Sequence, residues 1–416
     1  MSEHTFSRRK FFARTSAGVA AFGATALIAR RAYGANERLS IGLIGVGDRC
    51  SAHMADIRSL AEKQNVEITA VCDVWKANLG RAAARIKDGL GKEPRQFARF
   101  GDLLALADID AVVIATPDFS HGPILIAALK AGKDVYVEKP MCMELADANT
   151  ALDLARSTGR VVQAGTQYRS HGGYIAASKV LAAGVLGRIN RVCAEANFNE
   201  PRWARSFADC KKDDVDWDAY LLDKPRRDFD PKLLRRWHLY KEFTNGLSGL
   251  WMSHYADAVH LLTGAKYPAS AVAHGNIYVW KDGREHTDTF HALLDYPEGF
   301  LMSWGFGLAN SAGCHFAAYG TEGMLEIGND HVEPNLLTIS AAGGRKDSKV
   351  EGKKIVAEPS QSHMANWLEC IRSRKRPNAD IQYGHQHSVA TILAADALHK
   401  GRRMRYDPEK RMISEG

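Results

Sequence analysis

Two short apolar runs, Ala111–Ala115 and Asp134–Val137, bracket a helical stretch, His121–Lys130. The first run ends in Thr116-Pro117-Asp118 and the second in Glu138-Lys139-Pro140. Strands covered on both faces read as continuous apolar runs, and a helical crossover between two of them makes the pair parallel. Ligands of open parallel sheets bind beyond the carboxyl ends of the strands. Both polar clusters therefore face one crevice, and Lys139 is a charge delivered to its floor.

The same alternation begins upstream. Leu39–Ile44 predicts a buried strand, Gly45-Val46-Gly47-Asp48-Arg49 a turn, Ser51–Glu62 a helix, and Val66–Cys72 a second strand that ends at Asp73. Glu144–Ser157 is helical and Val161–Ala164 is another strand. The expectation is an α/β fold whose first domain, 38–165, is a doubly wound parallel Rossmann sheet. A chain of 416 residues suits two domains. From 166 to 410 the pattern changes to a helix at Tyr174–Ala183, a strand near Ile189–Phe198, and a polar, aromatic stretch over 200–246. A helix at Gly249–Leu262 follows. Strand-like runs come next at Ser270–Trp280, Thr287–Tyr296, Gly299–Phe306, His315–Tyr319 and Met324–Ile327. Consecutive strands imply a mostly antiparallel sheet, hence an α+β second domain. Ser362–Arg372 and Gly384–His399 read as helices.

Gly45 and Gly47 give a tight turn that lets backbone approach a pyrophosphate, and the helix behind it supplies unpaired N–H groups and the positive end of its dipole. Cys50 stands near the place of a third glycine, where close helix–strand packing needs a small residue. Arg49 either reaches a phosphate or is simply solvated. Asp73 closes the second strand, where a carboxylate accepts the ribose hydroxyls and repels a 2′-phosphate; it also suits a helix N-cap. Asp73 favours NAD, while nearby Lys76 would soften the repulsion and keeps NADP as the alternative.

The Thr-Pro-x-x-x-His segment from Thr116 to His121, followed by Glu138-Lys139-Pro140 and preceded by the glycine turn, resembles the Gfo/Idh/MocA family of NAD(P)-dependent oxidoreductases. The resemblance covers roughly residues 38–410. It implies a cofactor site of Gly45, Val46, Gly47, Asp48, Arg49, Asp73, Thr116, Pro117, His121, Glu138, Lys139 and Gln167. It implies a cis Lys139-Pro140 bond, C-terminal helices that return to the nucleotide domain, and a homo-oligomer, dimer or tetramer. The segment Gly246–Asp257 resembles the family helix that faces the nicotinamide. There the family has an Asp, a His four residues later and an Asp three beyond; here Leu250 replaces the first Asp, while His254 and Asp257 match.

Hydride transfer from an alcohol needs its carbon against the nicotinamide, a base for the hydroxyl proton, and a cation to steady the alkoxide. Lys139 is the expected cation and His254 the expected base. Asp257, three residues on along the same helix face, is expected to orient the imidazole. Tyr168 and Arg169, after the last strand of the first domain, and the segment Arg235-Arg236-Trp237-His238, with the pair Arg202-Trp203, are candidate substrate contacts. Aromatic faces match pyranose rings and Arg reads their hydroxyls.

The formal charge of +7 is misleading. Residues 1–35 hold Arg8, Arg9, Lys10, Arg14, Arg30 and Arg31 against Glu3, a net of +5, which leaves +7 − 5 = +2 for the rest. No basic field remains to argue for nucleic acid. Ser7-Arg8-Arg9-Lys10-Phe11-Phe12 matches a twin-arginine export signal, followed by a small-residue apolar stretch, Thr15–Ala29, too short and mild to span a membrane, with cleavage expected near Gly34 or Ala35. Export by that machinery moves folded proteins, so a periplasmic or secreted enzyme would carry its cofactor out with it. The seven cysteines form no metal spacing, and an oxidising compartment leaves one disulfide open, with Cys210 a candidate. No metal is expected.

The expected function is an exported oxidoreductase acting on a sugar, glycoside or polyol. A redox-neutral glycoside-cleaving enzyme, in which transient oxidation allows elimination before the hydride returns, is the alternative. A non-catalytic sugar-binding protein on the same scaffold is the third reading.

Overall fold

A computed structural model describes residues 37–327, 337–341 and 350–416. The twin-arginine segment lies outside them. The first sheet comprises β1 (Leu39–Ile44), β2 (Val66–Cys72), β3 (Arg95–Phe97), β4 (Ala111–Ile114), β5 (Asp134–Val137) and β6 (Val162–Ala164). All neighbours are parallel, in the order β3-β2-β1-β4-β5-β6. Every residue of β1, β4 and β5 is buried, because helices cover both faces and no polar face is required. The order reverses between β1 and β4, and the crevice opens beyond their carboxyl ends.

The second sheet holds ten strands. They are β7 (Ile189–Asn199), β8 (Ser270–Asn276), β9 (Thr289–Tyr296), β10 (Phe300–Gly307), β11 (Ala309–Gly320), β12 (Gly323–Ile327), β13 (Leu337–Ala341), β14 (Lys353–Ile355), β15 (Met404–Asp407) and β16 (Met412–Glu415). Their order is β14-β13-β12-β11-β7-β10-β9-β8-β15-β16, antiparallel except for the β7–β10 pair. Along β9 Phe290, Ala292, Leu294 and Tyr296 are buried while His291, Leu293 and Asp295 are exposed, the alternation of a sheet with one covered face. The run expected as a strand to Trp280 leaves the sheet at Asn276. There the Asp288 carboxylate accepts the N–H groups of Tyr278, Val279 and Trp280 at 3.0, 2.8 and 2.9 Å, which draws the chain off the ladder.

Stretch 200–246 is irregular apart from 3-10 turns at Lys212–Asp214 and Trp237–Leu239 and short α-helices at Trp217–Leu221 and Pro231–Arg235, the α-helices each opened by an aspartate N-cap, Asp216 or Asp230. The helix expected over Gly249–Leu262 begins as a π-helical turn, Ser248–Met252, and continues as an α-helix, Ser253–Thr263. The helix His363–Ser373 packs Met364, Trp367, Leu368 and Ile371 into the core of the first sheet. The longer helix Ile381–Lys400 is buried between the two sheets' domains and pins the turn after β5. Its His387 Nε2 accepts the Met141 N–H at 3.1 Å, and its Ser388 hydroxyl accepts that of Cys142 at 3.2 Å. Burial drives the His387 pKa down to about 3, so the ring stays a neutral acceptor. All seven cysteines are free thiols.

Candidate active site

One cavity of about 650 Å³ runs from the glycine turn to the π-helical turn. At the nucleotide end Gly45 has φ +81°, and a Cβ there would lie 2.7 Å from the Thr116 backbone nitrogen, so only glycine lets the β1 and β4 turns touch. Gly47 has no atom within 3.8 Å of an added Cβ and lends no side-chain cap to the helix Asp48–Leu60. The first-turn N–H groups therefore face the cavity, which is what a pyrophosphate requires. Asp73 is buried at the cavity wall; one oxygen accepts the Val46 N–H at 2.9 Å and Asn78 at 3.0 Å, the other the Trp75 N–H at 2.9 Å. Burial raises its pKa and these three donors oppose the rise. Three of its roughly four acceptor sites are used, leaving one for a ribose hydroxyl. Lys76 donates to the Asp213 carbonyl at 2.8 Å and does not line the cavity, so Lys76 itself does not offset repulsion of a 2′-phosphate. These features fit NAD.

Asp73→Ala is expected to cut the preference for NAD over NADP at least about tenfold, read by fluorescence titration with NADH and NADPH. An unchanged ratio would leave Asp73 only its bracing of the glycine turn.

Other predicted cofactor residues take different places. Asp48 lies at the cavity rim, 3.3 Å from Arg205. Arg49 donates to Glu138 at 2.6 Å and His53 Nε2 lies 2.8 Å from the same oxygen, so this pair of turns is tied across the crevice. Burial would raise the Glu138 pKa, but Arg49 and His53 outweigh it and hold the carboxylate well below its usual range. Thr116 and Pro117 line the cavity. His121 also lines the cavity; its Nδ1 sits 2.8 Å from the Pro140 carbonyl and its Nε2 2.8 Å from that of Thr116, so the ring braces the two turns where they meet the cavity. Gln167 likewise donates to the Tyr136 hydroxyl at 3.1 Å and does not line the cavity.

The Lys139-Pro140 bond is cis. Lys139 lines the cavity, and its ammonium donates to the Leu250 carbonyl at 2.7 Å. Leu250 stands where the family's acid is absent, yet its backbone oxygen, inside the π-helical turn, still holds the ammonium. Burial lowers the Lys139 pKa, opposed by Asp118 and Glu138. Asp118 is itself buried, accepting the Thr244 hydroxyl at 2.8 Å. It supplies negative charge near Lys139 that no reading of the helix pattern anticipated; its place directly after the Thr-Pro pair was the only signal.

His254 lines the cavity, its ring 5.7 Å from that of Tyr168. Burial, reinforced by the Lys139 charge, holds its pKa well below the ordinary imidazole value. At neutral pH it is the free base, able to accept a proton. Asp257 does not orient it. Both Asp257 oxygens accept Arg169 Nε at 2.8 Å, and the carboxylate is fully buried. Arg169 is 5% exposed and its guanidinium lies 3.6 Å from the centre of the Tyr383 ring. The pair is therefore internal, and neither residue reaches the cavity. Helical spacing put Asp257 beside His254 in sequence, but the helix is buried nearly all round and the Arg169 charge captured the carboxylate first.

The roof comes from stretch 200–246. Trp203, Arg205, Arg235, Trp237 and His238 line the cavity. Arg236 turns away, its Nε donating to the Arg205 carbonyl at 2.7 Å and its guanidinium over Phe207. Tyr168 stacks on Tyr174, centroids 4.6 Å apart, behind His254 and outside the cavity lining. His238, the last residue of the Arg235–His238 segment expected to meet a sugar, lines the cavity together with Trp237. Among the described residues no group of His, Cys, Asp and Glu forms a metal site, and no helix is long and apolar enough to cross a membrane.

Residues 39–166 match the Gfo/Idh/MocA description "Oxidoreductase family, NAD-binding Rossmann fold", and residues 214–405 match "Oxidoreductase family, C-terminal alpha/beta domain". The oxidoreductase YdgJ of Escherichia coli K12 is 27% identical over 306 residues, 72% of this chain and 75% of that protein. Inositol 2-dehydrogenase of Salmonella typhimurium is 30% identical over 151 residues, 36% of this chain and 43% of the enzyme. A glycosyl hydrolase family 109 protein of Shewanella baltica is 29% identical over 178 residues, 37% of this chain and 38% of that protein. The last two alignments thus span less than half of those proteins. Aldose-aldose oxidoreductase from Caulobacter crescentus has the same fold, with TM-score 0.68 and 19% identity over 89% of this chain and all of that one.

Proposed function

Because the chain belongs to the Gfo/Idh/MocA oxidoreductase family, with its NAD-binding domain, we propose that it transfers a hydride between a tightly retained nicotinamide and a carbinol carbon of a sugar, glycoside or polyol. The observation that carries this reading is the convergence of Lys139 and His254 on the cavity that begins at the glycine turn. The bound nicotinamide would supply hydride acceptance and return. Gly45, Gly47 and Asp73 would hold it, and the helix N-terminus would neutralise its phosphates. Lys139 holds a positive charge against the substrate oxygen as alkoxide develops, kept in place by the Leu250 carbonyl. His254, neutral, accepts the hydroxyl proton. Trp203 and Trp237 offer apolar faces to a pyranose ring. The carbohydrate names of inositol 2-dehydrogenase and the aldose-aldose oxidoreductase support the substrate class.

The export signal at Ser7–Phe12 supports delivery of the folded, loaded enzyme to the periplasm. Leu293 and Leu301, exposed on the open face of the second sheet, suit a contact between copies. Redox-neutral glycoside cleavage is the second reading. It is favoured by the match to a glycosyl hydrolase family 109 protein and by the replacement of the family's acid at Leu250.

Denaturing the mature protein and identifying released small molecules by mass spectrometry tests retention: NAD(H) is expected, and an empty protein refutes it. Incubation with myo-inositol, aldoses and aryl glycosides then separates the chemistries. Net NADH formation supports the first reading, aglycone release without it the second, and neither outcome rejects both. The pH profile adds a third check. Since His254 is held below the ordinary imidazole range, kcat/KM should stay flat from pH 8 down to about 6.5 and fall only below it, as the ring protonates. A limb at or above that value removes His254 as the base.

A further inference from the structure

We propose that His238 is a substrate-positioning residue of this site, a neutral imidazole that donates one hydrogen bond from its cavity edge to a carbohydrate oxygen. The inference rests on the substrate class proposed above and adds a residue to it. The ring is sandwiched. Its centroid lies 3.6 Å from Trp237 at an interplanar angle of 18°, and 5.3 Å from Trp203 at 7°. Both faces are therefore covered, and only an edge can meet a ligand. The arrangement is held at a backbone cost, because Trp203 has φ +63°, a left-handed conformation that a bulky residue rarely adopts.

His238 is 7% exposed and lines the cavity, while its Nδ1 is buried with no hydrogen-bond partner. The edge left to the cavity is that of Nε2. A neutral imidazole carries one N–H and one lone pair. Buried N–H groups without acceptors are rarer than buried acceptors without donors, because the stranded donor forfeits a stronger interaction. The proton therefore belongs on Nε2, facing the cavity, and the dry Nδ1 keeps its lone pair. Arg205 and Lys139 stand near enough to disfavour a second proton on the ring, as its burial also does. A donor with no charge suits a hydroxyl or carbonyl oxygen, and Lys139 already supplies the cation. Locked between two indoles, the imidazole loses no side-chain freedom on binding, so the hydrogen bond fixes which substrate oxygen sits beside the reacting carbon.

The test uses the mature NADH-loaded protein, labelled with 15N-histidine. Long-range 15N–1H spectra between pH 6 and 8, with the His238 signals assigned from His238→Gln, should show a neutral ring protonated at Nε2. A ring protonated at Nδ1, or one that titrates in that range, overturns the proposal. In kinetics with NAD+ supplied as the hydride acceptor and whichever of myo-inositol or the aldoses is oxidised, His238→Phe keeps the stack and loses the donor. It should raise KM roughly tenfold with kcat within about threefold and NADH affinity unchanged. His238→Gln, whose amide nitrogen can replace Nε2, should return KM to within about threefold of the parent. A Phe variant with the parent's KM overturns the proposal even where turnover is normal. A parent that oxidises none of these sugars counts against the redox reading, and the ring spectra then decide His238 alone.

Discussion

Lys139→Ala is expected to lower kcat/KM at least about a thousandfold while NADH binding stays within about threefold. The ammonium is the only described cation that donates to the π-helical turn, at the end of the cavity away from the glycine turn, 2.7 Å from the Leu250 carbonyl. Alanine removes the charge that would meet the developing alkoxide and leaves the glycine turn, Asp73 and the helix N-terminus untouched. The same change carries a second signature. Lys139 is one of the charges that depress the His254 pKa, behind burial itself, so its loss should move the acid limb of any residual activity upward. The limb lies where free enzyme becomes protonated, so the shift means rate is lost at a higher pH than in the parent. Parent-like turnover in the variant would take Lys139 out of the mechanism. An unmoved limb would take His254 out of its field.

Asp257→Ala should act on the fold. Arg169 is buried, and the Asp257 carboxylate is its anionic partner, bound through both oxygens at 2.8 Å. Removing one member of a buried pair leaves an uncompensated charge, a cost of about 3–5 kcal/mol. That corresponds to a fall in Tm of roughly 3–6 °C for a chain of this size, measured by calorimetry. The shape of the pH–rate profile of the fraction still folded should not change, because Asp257 does not touch His254. Replacing both members together, Arg169→Met with Asp257→Leu, removes the stranded charge and should recover much of the loss. A large fall in kcat at unchanged Tm would return Asp257 to the chemistry.

The contrast between these two residues marks how far the chain could be read from its letters. The parallel sheet was legible because β1, β4 and β5 are mainly apolar runs closed by Gly45-Val46-Gly47, Thr116-Pro117 and Glu138-Lys139. The open face of β9 was legible because alternation survives in the letters themselves. Lys139 and His254 were legible because one closes a strand and the other sits on a recognisable helix. The partner of Lys139 was not, since a backbone carbonyl leaves no mark in the residue type and the π-helical turn that presents it has no signature in Gly246–Asp257. Arg169 and Arg236 were read as ligand contacts because their type suits hydroxyls; burial gave one to Asp257 and a turn of the chain gave the other to the Arg205 carbonyl.

Local pattern by itself determined the strands, the crossovers and the end of the sheet at which a ligand sits, since each follows from hydrophobic period and turn chemistry within a few residues. Tertiary structure alone decided which carboxylate met which cation, and what surrounds each imidazole, His254 or His238, at the cavity. Those pairings join residues far apart in the chain, and competition among charges for partners in a dry interior is settled only when packing fixes the distances.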